Sequence, residues 1–188
     1  MSEIKSILKK NNSVLVFDID GVLAVMEFGN HTHFTMNDEE WMKECEKGTN
    51  FYTEELVSKK MQEFISNKDK SRVYVITKAY NEKEYEMKQE FSSLYYGIPK
   101  ENVFYVENDK DKVKILLKIK QKYTDLKDES LVMIDDTVAV LNSVMENTNF
   151  STAHISSFLD IWNLFLKDTI DYKFIWYDDF YINIIKVR

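Results

Sequence analysis

The chain has 188 residues, a formal net charge of -7, and 44% hydrophobic and 14% aromatic residues, a composition that suits one globular domain with a sizeable core and excludes a disordered chain. The acidic balance disfavours broad electrostatic attraction to nucleic acid or to an anionic membrane, and no apolar run approaches the roughly 20 residues that span a bilayer. Met1-Ser2-Glu3-Ile4-Lys5 lacks the apolar core of a signal peptide, and the lone Cys45 excludes an internal disulfide and fits a reducing, cytoplasmic compartment.

After a short leading helix near 2–10, Val14-Leu15-Val16-Phe17 is an unbroken apolar run, the pattern of a strand covered on both faces. Asp18 and Asp20 follow it and Gly21 supplies a sharp exit. In an open α/β sheet ligands bind at the carboxyl ends of strands, so these carboxylates stand where chemistry is usually done. A plain polar turn is the other use of the same three residue types.

Residues 23–35 read as a hairpin around Gly29-Asn30. His31 and His33 lie two apart and share one face of its second strand. With no cysteine or third histidine close in sequence, they read as exposed strand residues or as a frame for a substrate rather than as a metal pair. Asn37 caps a helix through Trp41 and Met42 that stops at Gly48, with Cys45 in its packing face, and Thr53 caps a second helix over 53–67.

Val73-Tyr74-Val75-Ile76 is the next buried strand and ends at Thr77, whose hydroxyl could donate to a phosphate oxygen. A helix over 82–95 closes at Gly97 and Pro99, and a strand follows at 103–106. Asp109-Lys110-Asp111-Lys112 then opens a helix over 111–123, where a lysine could offset the charge of a site. The dense lysines at 59–60 and 118–122 read as solvated helix faces.

Leu131-Val132-Met133-Ile134 is a further buried strand and runs into Asp135-Asp136-Thr137. A helix over 137–147, a strand over 151–155 bearing a partly buried His154, and a helix over 157–167 complete the alternation, which predicts a mainly parallel sheet with right-handed crossovers. The tail from Tyr172 to Ile185 is rich in aromatic and branched residues. It either completes the core or makes a homodimer contact.

If the first and fourth strands lie side by side, Asp18, Asp20, Asp135 and Asp136 converge on one small volume. Like charges so close repel strongly without a cation. Mg²⁺ takes oxygen ligands and keeps several waters, so it suits a few carboxylates plus a phosphate.

These motifs, in this order from Val14 to Thr137, resemble those of the haloacid dehalogenase (HAD) superfamily of phosphohydrolases. Asp18-Ile19-Asp20-Gly21 resembles its first motif, Thr77 its second, Lys112 its third with Lys110 as the fallback, and Asp135-Asp136 its fourth. The resemblance implies a Rossmann-like three-layer α/β sandwich over 1–188, with a flap and minimal cap inserted at about 23–50 and a comparatively open site. It also implies a phosphatase in which Asp18 is the nucleophile, Asp20 the acid and base, and Thr77 and Lys112 the phosphate ligands. Mg²⁺ would be held by Asp18, the backbone carbonyl of Asp20 and Asp135, with Asp136 beside it or through water.

One departure is that Lys78 follows Thr77 where relatives often carry Gly or Asn, which leaves the substrate open rather than the reaction class. Phosphotransfer to another acceptor and phosphate binding without turnover are the alternatives. The phosphorylated substrate, small or macromolecular, is not named by the sequence.

Overall fold

The computed structural model describes residues 3–25 and 36–158. The chain divides into two compact units, Met1–Ile155 and Ser156–Arg188, and the first carries the sheet and the candidate site residues. In chain order it holds α1 (Glu3–Lys9), β1 (Val14–Phe17), α2 (Asp38–Lys47), α3 (Lys59–Ser66), β2 (Val73–Lys78), α4 (Glu82–Tyr96), β3 (Val103–Val106), α5 (Lys112–Gln121), β4 (Leu131–Asp135), α6 (Val138–Asn147) and β5 (Ser151–His154). The 29–30 hairpin turn, His31, His33 and the aromatic tail lie outside the described residues, as does most of the helix expected over 157–167.

The strands form one sheet in the order β3-β2-β1-β4-β5, and every neighbouring pair is parallel. Because alternate side chains point to opposite faces, Val14 and Val16 share a face with Tyr74, Ile76, Leu131 and Met133, where Leu116 and Ile119 of α5 and Val140, Leu141 and Val144 of α6 pack. Leu15, Phe17, Val75, Val132 and Ile134 are equally buried on the other face. Strands buried on both faces need continuous apolar runs, which is why they were readable as such. Each fully buried side chain of this size contributes about 1.5–3 kcal/mol.

Local signals act as expected around α2. Asn37 and Glu40 make a reciprocal capping box, and Gly48 ends the helix at φ 81°. The single helix expected over 53–67 is instead broken. Thr53 precedes a short 3₁₀ turn over Glu54–Leu56 without a side-chain capping bond, Val57 is extended, and Ser58 caps α3. The break has a tertiary cause: Val57 bridges Ala24 in antiparallel fashion, the Val25 amide donates to Leu56 O at 2.7 Å, and the Ser58 amide donates to Leu23 O at 3.2 Å. Tyr96 of α4 braces the same junction by donating to Leu23 O at 2.6 Å. The segment after β1 is therefore fixed from two sides.

No described helix is long and apolar enough to cross a membrane.

Candidate active site

The chain runs outward from β1 through β2 to β3, then returns to place β4 on the other side of β1. That reversal opens a crevice at the carboxyl ends of β1 and β4, where α/β folds seat ligands. The Asp18 amide donates to Ile134 O at 3.0 Å and prolongs the ladder, so Asp18 and Asp135 emerge from adjacent strands. Asp18, Asp135 and Asp136 each offer one carboxylate oxygen, and these oxygens lie within 4.8 Å of one another.

Lys112, the first residue of α5, is 2% exposed and reaches into this group. Its Nζ donates to Asp135 Oδ2 at 3.0 Å and stands 3.3 Å from Asp18 Oδ1 and 3.5 Å from Asp109 Oδ1. The other Asp135 oxygen accepts from the Thr137 amide at 2.9 Å. Asp18 Oδ1 is different. Its contact with Lys112 is an ion pair without hydrogen-bond geometry, and the buried atom has no hydrogen-bond partner among the described residues.

Electrostatics follow from this packing. Burial pushes Asp18 up to about 7, with Lys112 pulling it down and Asp135 and Asp20 pushing it further up. Burial and the charge of Asp135 also raise Asp136. For Lys112 burial disfavours the charge, but Asp18 and Asp135 outweigh it and hold the ammonium above the usual lysine range. Buried carboxylates in excess of one cation, with an orphaned oxygen among them, are a suitable donor set for a hard divalent metal. The acidic cluster could hold one.

Gly21 makes the space. Its backbone sits at φ +74°, which L side chains rarely adopt, and a Cβ there would fall 2.7 Å from Asp136 Cγ. Both the turn and the position of Asp136 depend on the missing side chain.

Asp20 points elsewhere. Rather than joining the other three carboxylates, its Oδ1 accepts from Tyr52 Oη at 3.0 Å and its Oδ2 lies 2.8 Å from Lys88 Nζ. Lys88, in α4, is 1% exposed and also pairs with Glu84 at 2.8 Å and donates to Lys78 O. Glu84 completes the group by accepting from the Tyr80 amide at 2.6 Å. Burial opposes the Lys88 charge, yet Asp20 and Glu84 raise its pKa overall, while burial and Asp20 lift Tyr52 well above the ordinary tyrosine range.

Sequence reasoning missed Tyr52, Glu84 and Lys88. A signal existed: Glu84, Lys88, Phe91 and Ser92 fall on one helical stripe, and all four are buried.

Thr77 is fully buried near the end of β2, its hydroxyl donating to Lys78 O at 3.3 Å. The Lys78 side chain is exposed. Lys110 is exposed in the turn before α5, so of the two candidate lysines Lys112 is the one brought to the carboxylates. His154 is half-buried and its Nε2 donates to Asp136 O at 2.9 Å, the satisfied role expected for it. Cys45 is buried in α2, and burial pushes its thiol up to about 12, far from a reactive thiolate.

No protein-family model and no curated protein matches the sequence. Among solved structures, the chain is similar to DsGPDH of Dunaliella salina with a TM-score of 0.52 and 15% identity, over 81% of this chain but only 25% of that one. It is also similar to the HAD domain of effector protein Lem4 from Legionella pneumophila, with a TM-score of 0.42 and 11% identity over 83% of this chain and 92% of that one. An inactive mutant of the Lem4 domain gives a TM-score of 0.41 and 10% identity. At 15% identity the likeness to DsGPDH is one of fold, and it agrees with the Rossmann-like α/β architecture.

Proposed function

We propose that the chain is a HAD-type phosphohydrolase, a Mg²⁺-dependent phosphatase that cleaves a phosphate monoester through an aspartyl-phosphate on Asp18. The observation that carries this reading is the Asp18 carboxylate itself: buried, with Oδ1 lacking a hydrogen-bond partner among the described residues, 3.3 Å from the Lys112 ammonium and grouped with Asp135 and Asp136. The ordered motifs of the sequence support the same reading.

In this mechanism a carboxylate oxygen of Asp18 attacks phosphorus and the bond from phosphorus to the leaving oxygen breaks. Asp20 gives that oxygen a proton, so the alcohol departs neutral and Asp20 is left as a carboxylate. Asp20 then takes a proton from water, the water oxygen attacks phosphorus, and the bond to Asp18 breaks. Inorganic phosphate leaves and both aspartates return to their starting states. Lys112 offsets negative charge on the phosphoryl oxygens, and Thr77 donates to one of them.

Asp18, Asp135 and Asp136, with the backbone carbonyl of Asp20, would hold Mg²⁺. When bound, Mg²⁺ orients the phosphoryl group and offsets the charge on its oxygens. Burial shifts Asp18 toward its protonated, non-nucleophilic form, a shift that Lys112 opposes and a bound metal would oppose further.

The test is acid quenching of the protein during turnover of an aryl phosphate with Mg²⁺, followed by mass spectrometry. One phosphoryl group on the peptide containing Asp18, absent in Asp18→Asn, is expected. A phosphoryl group on another residue overturns the assignment.

A further inference from the structure

The second buried charge cluster, Asp20-Lys88-Glu84-Tyr52, has no part in the mechanism above beyond Asp20 itself. Its bonds converge on that one carboxylate. Tyr52 Oη donates to Oδ1 at 3.0 Å, and the Lys88 ammonium lies 2.8 Å from Oδ2, so two separate segments of the chain grip the two oxygens. Lys88 is itself held: it pairs with Glu84 at 2.8 Å and donates to the carbonyl of Lys78, the residue after Thr77. The ring of Tyr52 is locked edge-on against Phe91, with centroids 5.9 Å apart.

Stability alone does not account for this arrangement. Taking an ammonium out of water costs several kcal/mol, and well-packed apolar residues commonly join two elements at least as well as a buried ion pair. What an apolar contact does not supply is a fixed orientation for a carboxylate. By binding the Lys78 carbonyl as well, Lys88 also ties the Asp20 carboxylate to the end of β2, where Thr77 stands.

We propose that Lys88 and Tyr52 are positioning residues that hold the Asp20 side chain in line for proton exchange with the leaving oxygen and then with water, an assignment that rests on the role given to Asp20 above. Asp20 alone exchanges the proton. Lys88 and Tyr52 act through it, with Glu84 anchoring Lys88.

The experiment compares kcat/KM of the wild type, Tyr52→Phe and Lys88→Met, with Mg²⁺, on phenyl phosphate and on dinitrophenyl phosphate. The quantity kcat/KM reads the step in which the leaving group departs. Phenolate needs a proton as it leaves and dinitrophenolate does not, so a misplaced acid penalises only the first. Both variants are expected to lose at least about tenfold more on phenyl phosphate than on dinitrophenyl phosphate, within the range that general acid catalysis contributes. Equal losses on the two esters, or no loss, overturn the assignment, because a structural role lowers both alike. Should Lys88→Met fail to fold by circular dichroism, Tyr52→Phe decides alone, since it keeps the ring against Phe91. Wild-type protein inactive on both esters overturns the phosphatase reading on which the assignment rests, an outcome distinct from equal losses.

Discussion

Two buried lysines meet the two aspartates that follow β1, Lys112 at Asp18 and Lys88 at Asp20, and their surroundings differ in one respect. Lys112 faces Asp18, Asp135 and Asp109, yet leaves Asp18 Oδ1 without a hydrogen bond and Asp136 nearby. Lys88 faces Asp20, Glu84 and a carbonyl, and Tyr52 donates to the other oxygen of Asp20. Each group holds more carboxylates than its one lysine balances, but only the first leaves a buried carboxylate oxygen without a hydrogen bond among the described residues. In that sense the first group is open and the second closed, and an open group suits something that arrives.

Removing each ammonium should separate the two. Lys112→Met and Lys88→Met both strip the partner from buried carboxylates, and each is expected to destabilise the fold by about 3–5 kcal/mol. Mg²⁺ should restore part of the loss in Lys112→Met, because a cation can bind the freed carboxylates, and none of it in Lys88→Met. Thermal melts with Mg²⁺ and with excess chelator check this. An identical response of the two variants would erase the distinction.

A smaller effect is expected at Gly21, the residue after Asp20. Gly21→Ala forces an L side chain into left-handed backbone, costing about 1–2 kcal/mol, and drives its Cβ against Asp136. A raised Mg²⁺ requirement should accompany the loss, measured by titrating activity with the metal. Smallest is Asn37→Ala, which removes the α2 cap far from both lysines in sequence. It should lower stability by about 1 kcal/mol and leave phosphate release at the wild-type rate.

The open group was legible in the sequence and the closed one was not, for a physical reason. Asp18, Asp135 and Asp136 follow apolar runs that read as buried parallel strands, and strand ends in such a sheet meet at one edge. Lys112 is marked by its place at the start of a helix with Leu116 and Ile119 behind it. Lys88 sits in Glu82-Lys83-Glu84-Tyr85-Glu86-Met87-Lys88, where an i,i+4 pair with Glu84 ordinarily means a solvated face. Only the approach of Asp20 and Tyr52 from distant parts of the chain turns that pair inward. The split of the helix expected over 53–67 has the same origin, since the bridge from Ala24 to Val57 overrides local helix preference. In both cases contacts between residues distant in sequence decided the outcome.

The most direct test of the account is phosphate release from a panel of phosphorylated metabolites and an aryl phosphate, comparing wild type with Asp18→Asn in Mg²⁺ and in excess chelator. The account predicts release by the wild type with Mg²⁺ that falls on the order of a thousandfold or more in Asp18→Asn and stops in chelator. Release that survives the substitution or the chelator, or no release from any compound, would contradict it.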